Sequence, residues 1–164
     1  IRADSVPSGM LNLRLPDCAT VNNSLRRLAQ RTYYIADCND CAANDGIPTL
    51  KRVEMIDGAL RTMSVAEGVE NLQLELGLDT NDDGVPDNFV TTDGVDGVAP
   101  NLWQNVVAVR LHLLTRSTQP TSGYTDARTY RLGPDVEVVA PTDGNKRTLM
   151  TTTVRLHNVG GRRE

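Results

Sequence analysis

Residues 77–89 read GLDTNDDGVPDNF. From Asp79 onward the spacing is Asp-x-Asn-x-Asp-Gly-x-x-Asp, which sets oxygen-bearing side chains at near-alternating positions around a glycine. In EF-hand-type loops, side chains at the first, third, fifth and ninth positions and a backbone carbonyl at the seventh surround one Ca²⁺. Glycine at the sixth permits the sharp turn. Asp79, Asn81, Asp83, Gly84, Val85 and Asp87 fill those places in order. The twelfth position should carry a bidentate Glu but holds Val90, so completing the shell falls to Asp93, Asp96 or water. No Lys or Arg stands between Arg61 and Arg110, while Glu67, Glu70, Glu75, Asp79, Asp82, Asp83, Asp87, Asp93 and Asp96 all do. Such a stretch is either a solvated Asn/Asp/Gly turn or a loop organised by a cation. The ordered match favours Ca²⁺, bound with the modest affinity that suits a calcium-rich exterior.

The cysteines are Cys18, Cys38 and Cys41. The Cys-x-x-Cys spacing suits a redox pair, half a zinc site or a small disulfide loop. Redox pairs sit at helix N-termini, where the dipole lowers a thiol pKa. Here the pair follows TYYIAD and precedes the turn-rich AANDGIP. Zinc would need further ligands, and the two histidines lie on distant segments. A structural Cys38–Cys41 disulfide in an oxidising compartment is the favoured reading, with the pairing of the odd cysteine left open.

Other chemistries find little support. A formal charge of −4 and a pI of about 5.2 oppose a nucleic-acid partner, because the phosphate backbone demands a basic face. His112 and His157 each end a VRLH, and on neighbouring strands they would share a face with Arg110 and Arg155. Half-exposed strand histidines are surface residues far more often than catalysts. Trp103 and Tyr124, beside loops, offer sugar-stacking platforms or ordinary edge packing. No nucleophile elbow, zinc-protease helix motif or phosphate-binding glycine loop is present. The expectation is a protein without enzymatic activity.

These side chains need elements to hold them, and the strongest patterns have period two. Leu72, Leu74, Leu76 and Leu78 alternate with Gln73, Glu75, Gly77 and Asp79. Val107, Val109, Leu111 and Leu113 alternate with Ala108, Arg110 and His112; Met150, Thr152, Val154 and Leu156 alternate with Thr151, Thr153, Arg155 and His157. Each predicts a strand with one buried and one wet face, together an antiparallel sheet. Weaker strands are expected at 11–15, 31–36, 50–56 and 128–132, with a short helix near 24–30. Ser64 and Glu67 have capping-box spacing, which predicts a helical turn. The 164 residues suffice for one domain, 1–164, with a real core. The connection 79–104 is too long to lack structure of its own. No apolar run approaches a membrane span. The opening at Ile1 reads as an interior cut, so the cover of the aliphatic face is expected partly outside this fragment.

Taken together, EGVENLQLELGLDTNDDGVPD (67–87), WQNVVAVRLHLLTRS (103–117), GYTDARTYRL (123–132) and TTTVRLHNVGGRRE (151–164) resemble PilW, a family of type IV pilus minor pilins. YYIAD followed by TLKRVE looks like its central strand pair. The J-type minor pseudopilins of type II secretion share a similar plan. The resemblance implies an α+β, mainly β fold: a pilin-like antiparallel sheet lacking the N-terminal pilin helix that anchors in the inner membrane. It also implies a non-enzymatic role in pilus assembly, in a tip initiation complex with other minor pilins, the major pilin and an adhesin. The location would be the inner membrane and periplasm before assembly, then the pilus on the cell surface. A calcium-dependent extracellular adhesion module is the alternative.

Overall fold

The computed structural model describes residues 29–92 and 100–156; for 100–102 it describes the backbone only. The predicted strand 11–15, residues 24–28 of the short helix, and Cys18, Asp93, Asp96 and His157 lie outside the described residues, while 29–30 are irregular and lead into the first strand. What is described is antiparallel β structure with almost no helix. The order is β1 (Arg31–Ala36), β2 (Thr49–Ile56), β3 (Ala59–Glu67), β4 (Val69–Leu78), β5 (Asn88–Val90), a 3-10 helix (Pro100–Asn105), β6 (Val106–Arg116), β7 (Thr129–Arg131), β8 (Glu137–Val139) and β9 (Arg147–Arg155).

Three sheets result: β1-β2-β3, β5-β4-β6-β9 and the pair β7-β8. β2 and β3 join through Asp57 and Gly58, both at positive φ (51° and 80°), as a two-residue type I′ hairpin requires. The predicted helical turn at Ser64–Glu67 is instead the end of β3. Its capping groups are used elsewhere: Ser64 Oγ donates to Asn39 Oδ1 at 2.8 Å, and Asn39 Nδ2 donates to Glu67 Oε1 at 2.6 Å. β3 passes into β4 through Gly68 at φ +74°, so one ribbon of chain bends from the first sheet into the second. A Cβ there would stand 2.5 Å from the Arg116 carbonyl oxygen, and Arg116 N–H donates to Gly68 O at 2.7 Å. Only glycine admits that approach in this backbone region.

The three alternating segments all fall in the four-stranded antiparallel sheet, as predicted, where β6 lies between β4 and β9. Leu72 faces Leu113 and then Met150; Leu74 faces Leu111 and then Thr152; Leu76 faces Val109 and then Val154. Burial departs from the expectation. Among these, Leu76 is buried, yet Leu74 is 39% exposed, Met150 49% and Val154 48%. On the opposite face, predicted to be wet, Glu75, Gly77, Ala108 and His112 are buried. The reason lies in the chain after β6. It folds back so that Tyr130, Leu132 and Ala140 pack on Leu114, with Val136, Val138 and Leu149 at the margin, and a Cβ on Gly133 would stand 3.7 Å from Glu75 and His112. The polar face is thus covered by the chain itself, and much of the aliphatic face stays half-bare. A second cluster, Leu76, Leu78 and Val106 with Val90, Val109 and Leu156, closes one end of that aliphatic face.

Of the segment 79–104, residues 93–99 lie outside the described residues. β5 pairs with β4 at Leu76–Val90, Gly77–Phe89 and Leu78–Asn88, so residues 79–87 form the loop of a β4–β5 hairpin. β8, which the sequence patterns did not indicate, pairs with β7.

Candidate functional site

Three arrangements concentrate polar chemistry. The first is the acidic loop. Its two ends are tied by Asp87 N–H donating to Leu78 O at 2.8 Å, and Asp79 N–H donates to Asn105 O at 2.9 Å. Asp79 is fully buried, and its carboxylate accepts three backbone N–H groups: Asn81 at 3.2 Å and Asp82 at 2.7 Å on Oδ1, Gly84 at 2.8 Å on Oδ2. Gly84 holds φ +78°, the conformation that turns its N–H inward. Asp83 Oδ1 accepts Val85 N–H at 2.7 Å, and Asp87 Oδ2 accepts the Thr80 hydroxyl at 2.6 Å and the Thr80 N–H at 2.7 Å. The Thr80 hydroxyl, then its amide, hold the Asp87 carboxyl below the usual carboxylate range.

The remaining oxygens of the pair, Asp83 Oδ2 and Asp87 Oδ1, share the Asn81 side-chain amide at 3.3 Å each. No basic residue lies near this loop along the chain; the fold supplies one. Arg155 of β9 donates from Nη2 to the Gly84 carbonyl at 2.8 Å. The neighbouring Arg110 lies 3.5 Å above the Phe89 ring and 3.3 Å from Glu75. The predicted ligand residues Asp79, Asn81, Asp83, Val85 and Asp87 therefore share one tight hairpin loop whose carboxylates are stabilised by its own N–H groups. Among the described residues, no three His, Cys, Asp or Glu side chains form a metal-ligand cluster. The donors are all oxygen, as Ca²⁺ requires. Only Asp83 Oδ2 and Asp87 Oδ1 are left with long bonds alone, both to the neutral Asn81 amide.

The second arrangement is the relay under Gly133. His112 Nε2 lies 2.7 Å from Glu75 Oε2 and Nδ1 lies 3.0 Å from Thr151 Oγ1. With Arg110 on the same carboxylate oxygen, this row crosses β4, β6 and β9. His112 is thus a buried cross-strand residue, in place of the surface histidine expected.

The third is a charged clamp at the other end of the sheet. Arg147, its side chain wholly buried, meets Glu70 through Nε at 2.7 Å and Nη2 at 2.8 Å. It meets Asp143 through Nη1 at 2.9 Å and Nη2 at 2.5 Å. Arg116 adds contacts at 3.6 Å to Glu70 and 3.5 Å to Asp143, and its Nη2 donates to Gly46 O at 2.8 Å. Next to it, Tyr130 donates to Asp126 Oδ2 at 2.7 Å, and Arg128 pairs with the other oxygen at 2.9 Å. Arg147 holds the Asp143 carboxyl, and Arg128 the Asp126 carboxyl, well below the usual carboxylate range. Burial, then the Asp126 hydrogen bond, pushes the Tyr130 phenol up to about 12. Arg116 does not stand out in the sequence, because Glu70, Asp143 and Gly46 are remote from it along the chain; Asp126 and Arg147 have near neighbours as partners, Arg128 and Tyr130 for one and Asp143 for the other, within segments that carry no distinctive pattern. Tyr124 belongs to this region too, its ring 5.8 Å from Lys146 Nζ.

A β domain braced by an ionic clamp and a buried relay, with an aliphatic sheet face left half-bare, has the character of a scaffold component. The family model of Type IV Pilus-assembly protein W, PilW, matches residues 32–158, and the chain belongs to that family. Its role accordingly falls within type IV pilus assembly, at the cell envelope or surface. No curated protein and no solved structure matches the chain. Among the described residues no helix is long and apolar enough to cross a membrane.

Proposed function

We propose that this chain is the globular part of a minor pilin, a non-enzymatic subunit that takes part in a pilus-tip initiation complex with other minor pilins, the major pilin and an adhesin. The observation that carries the reading is the half-bare aliphatic face in a chain of the PilW family. Leu74, Met150 and Val154 stand 39%, 49% and 48% exposed on the sheet that the family match spans. Water-exposed aliphatic rows of this kind are stabilised by an apolar cover. An amphipathic helix laid across β4, β6 and β9 supplies it in a pilin-like arrangement. Deleting the gene is expected to reduce surface pili while leaving major pilin levels intact, and restoring it with Leu74→Glu should fail to rescue. Normal piliation in the deletion strain would overturn the reading. Loss of protein secretion with pili intact would favour the minor pseudopilin of type II secretion instead.

Ca²⁺ binding by the acidic loop belongs to the same proposal, supported by the all-oxygen donor set and by Asp83 Oδ2 and Asp87 Oδ1, whose only bonds are long ones to the Asn81 amide. The residues that would hold the ion are Asp79, Asn81, Asp83, Asp87 and the Val85 carbonyl, with Asp93 or Asp96 as further donors. The ion would supply positive charge to a loop whose only described basic partner is Arg155. A calcium-dependent adhesion module would use the same loop; retention of surface binding by this domain alone would favour that alternative.

A further inference from the structure

The Cys-x-x-Cys loop has a feature that a purely structural disulfide does not need. Cys38 and Cys41 form a disulfide with Cα atoms 5.0 Å apart, in the normal range for such a bond. Cys41 is exposed and Cys38 half-buried. Lys51 of β2, only 7% exposed, directs its ammonium at this bridge: Nζ lies 3.2 Å from Cys41 Sγ and 3.0 Å from the Asn39 carbonyl. Among the described residues, Lys51 forms no ion pair with a carboxylate. Its direct contacts are one carbonyl and one disulfide sulfur, a weak acceptor, while the Asp45 carboxylate acts on it from further off.

Cleaving the bridge changes that balance. As a thiolate, Cys41 becomes an anion in direct contact with Lys51, whose charge otherwise reaches Asp45 without an ion pair, and an adjacent cation is a recognised cause of a low thiol pKa. The other charged groups around the loop leave this pairing intact. Asp45 is occupied by the N–H groups of Asn39, Asp40 and Ile47, and Asp40 by those of Ala42 and Ala43. From β3, Glu67 accepts the Asn39 amide. Asp45 and Asp40 oppose a thiolate by their charge, but each is already solvated by backbone donors.

We propose that Cys38–Cys41 is a thiol–disulfide exchange site for a dithiol protein, with Cys41 as the sulfur released beside Lys51. A thiolate of the dithiol attacks Cys38 Sγ, the Cys38–Cys41 bond breaks, and its electron pair leaves with Cys41 as a thiolate. The partner's second thiol, deprotonated, then attacks its own sulfur in the mixed disulfide and releases Cys38, which takes up a proton. The dithiol is oxidised by two electrons and the bridge reduced by two; the reverse sequence re-forms it. Stabilising the leaving thiolate speeds the forward step and favours the reduced form. This proposal is independent of the chain's place in the pilus.

The test uses the full chain reduced with dithiothreitol and alkylated with iodoacetamide across a pH series, each cysteine followed by peptide mass spectrometry. The Cys41 midpoint is expected below about pH 7.5, and that of Cys38 near the ordinary thiol value of about 8.5. Lys51→Met should raise the Cys41 midpoint by about one pH unit or more, while Lys51→Arg keeps it low. In glutathione buffers at about pH 9, above both midpoints, Lys51→Met should need a [GSH]²/[GSSG] ratio up to about tenfold higher for half-reduction. A wild-type Cys41 midpoint near about 8.5 would overturn the proposal. So would a low midpoint that Lys51→Met leaves unchanged. Should Lys51→Met fail to fold, the wild-type and Lys51→Arg profiles decide the matter.

Discussion

Arg147 shows how much one side chain can join. Its guanidinium, wholly buried, binds Glu70 of β4 and Asp143 of the loop before β9, while its own carbonyl accepts from Arg128 and Tyr130. Removing one member of a buried ionic group leaves the others uncompensated, at a cost of about 3–5 kcal/mol. Arg147→Met should therefore lower stability by that amount in urea unfolding, whereas Arg131→Ala, in an exposed pair 3.4 Å from Glu137, should cost less than about 1 kcal/mol. The same region sets an acid limit. Asp126 and Asp143 have folded-state pKa values below those of the unfolded chain. As pH falls, the unfolded chain takes up protons first. Their contribution is therefore complete well above about pH 4 and is lost as pH drops through the folded values. The melting temperature should fall steeply below about pH 4, and Asp143→Asn should flatten that part of the profile. In the acidic loop, Ca²⁺ is expected to raise the melting temperature and Asp83→Ala to abolish the rise. Identical melting with chelator and with added Ca²⁺ would leave the loop explained by its own N–H groups and Arg155.

At the scale of elements, Gly68→Ala should destabilise by more than about 1 kcal/mol, since the residue holds φ +74° with a carbonyl where the methyl would go. Urea unfolding of this variant beside a surface Gly58→Ala control separates steric conflict from hairpin-turn strain. The three long strands were legible because aliphatic and polar residues alternate over many positions; the register between them was not, since alternation assigns faces and leaves the pairing partner open. The hairpin character of 79–87 was partly legible, since Asp, Asn and Gly cluster between strands. What the pattern misjudged was the direction of burial. Period two identifies two faces but cannot say which one the rest of the chain will cross, and Glu75 gave no local sign of His112, 37 positions away. The Ser64–Glu67 capping spacing failed for a related reason, as Asn39 claimed both side chains. Arg155 was visible only as one more outward residue until the fold carried it to Gly84.

For the whole molecule, the half-bare aliphatic face should decide behaviour in isolation. The wild-type domain is expected to bind an apolar dye and to self-associate at high concentration, and Leu74→Glu with Met150→Glu should suppress both while keeping the β signature in circular dichroism. Dye binding unchanged in that double variant would place the exposed apolar surface elsewhere, for example at Leu60, 70% exposed near the β2–β3 turn. The polar face tells the opposite story, since its own chain covers it and its charges are matched within it.

The antiparallel run of β4, β6 and β9 has a mechanical meaning as well. A load directed along those strands strains all their rungs together, as a lap joint does, whereas a load across them opens one rung at a time. Arg147 and Glu70 fasten one margin of that joint, so traction along the strands meets its stiffest resistance where β4 and β9 are bolted together.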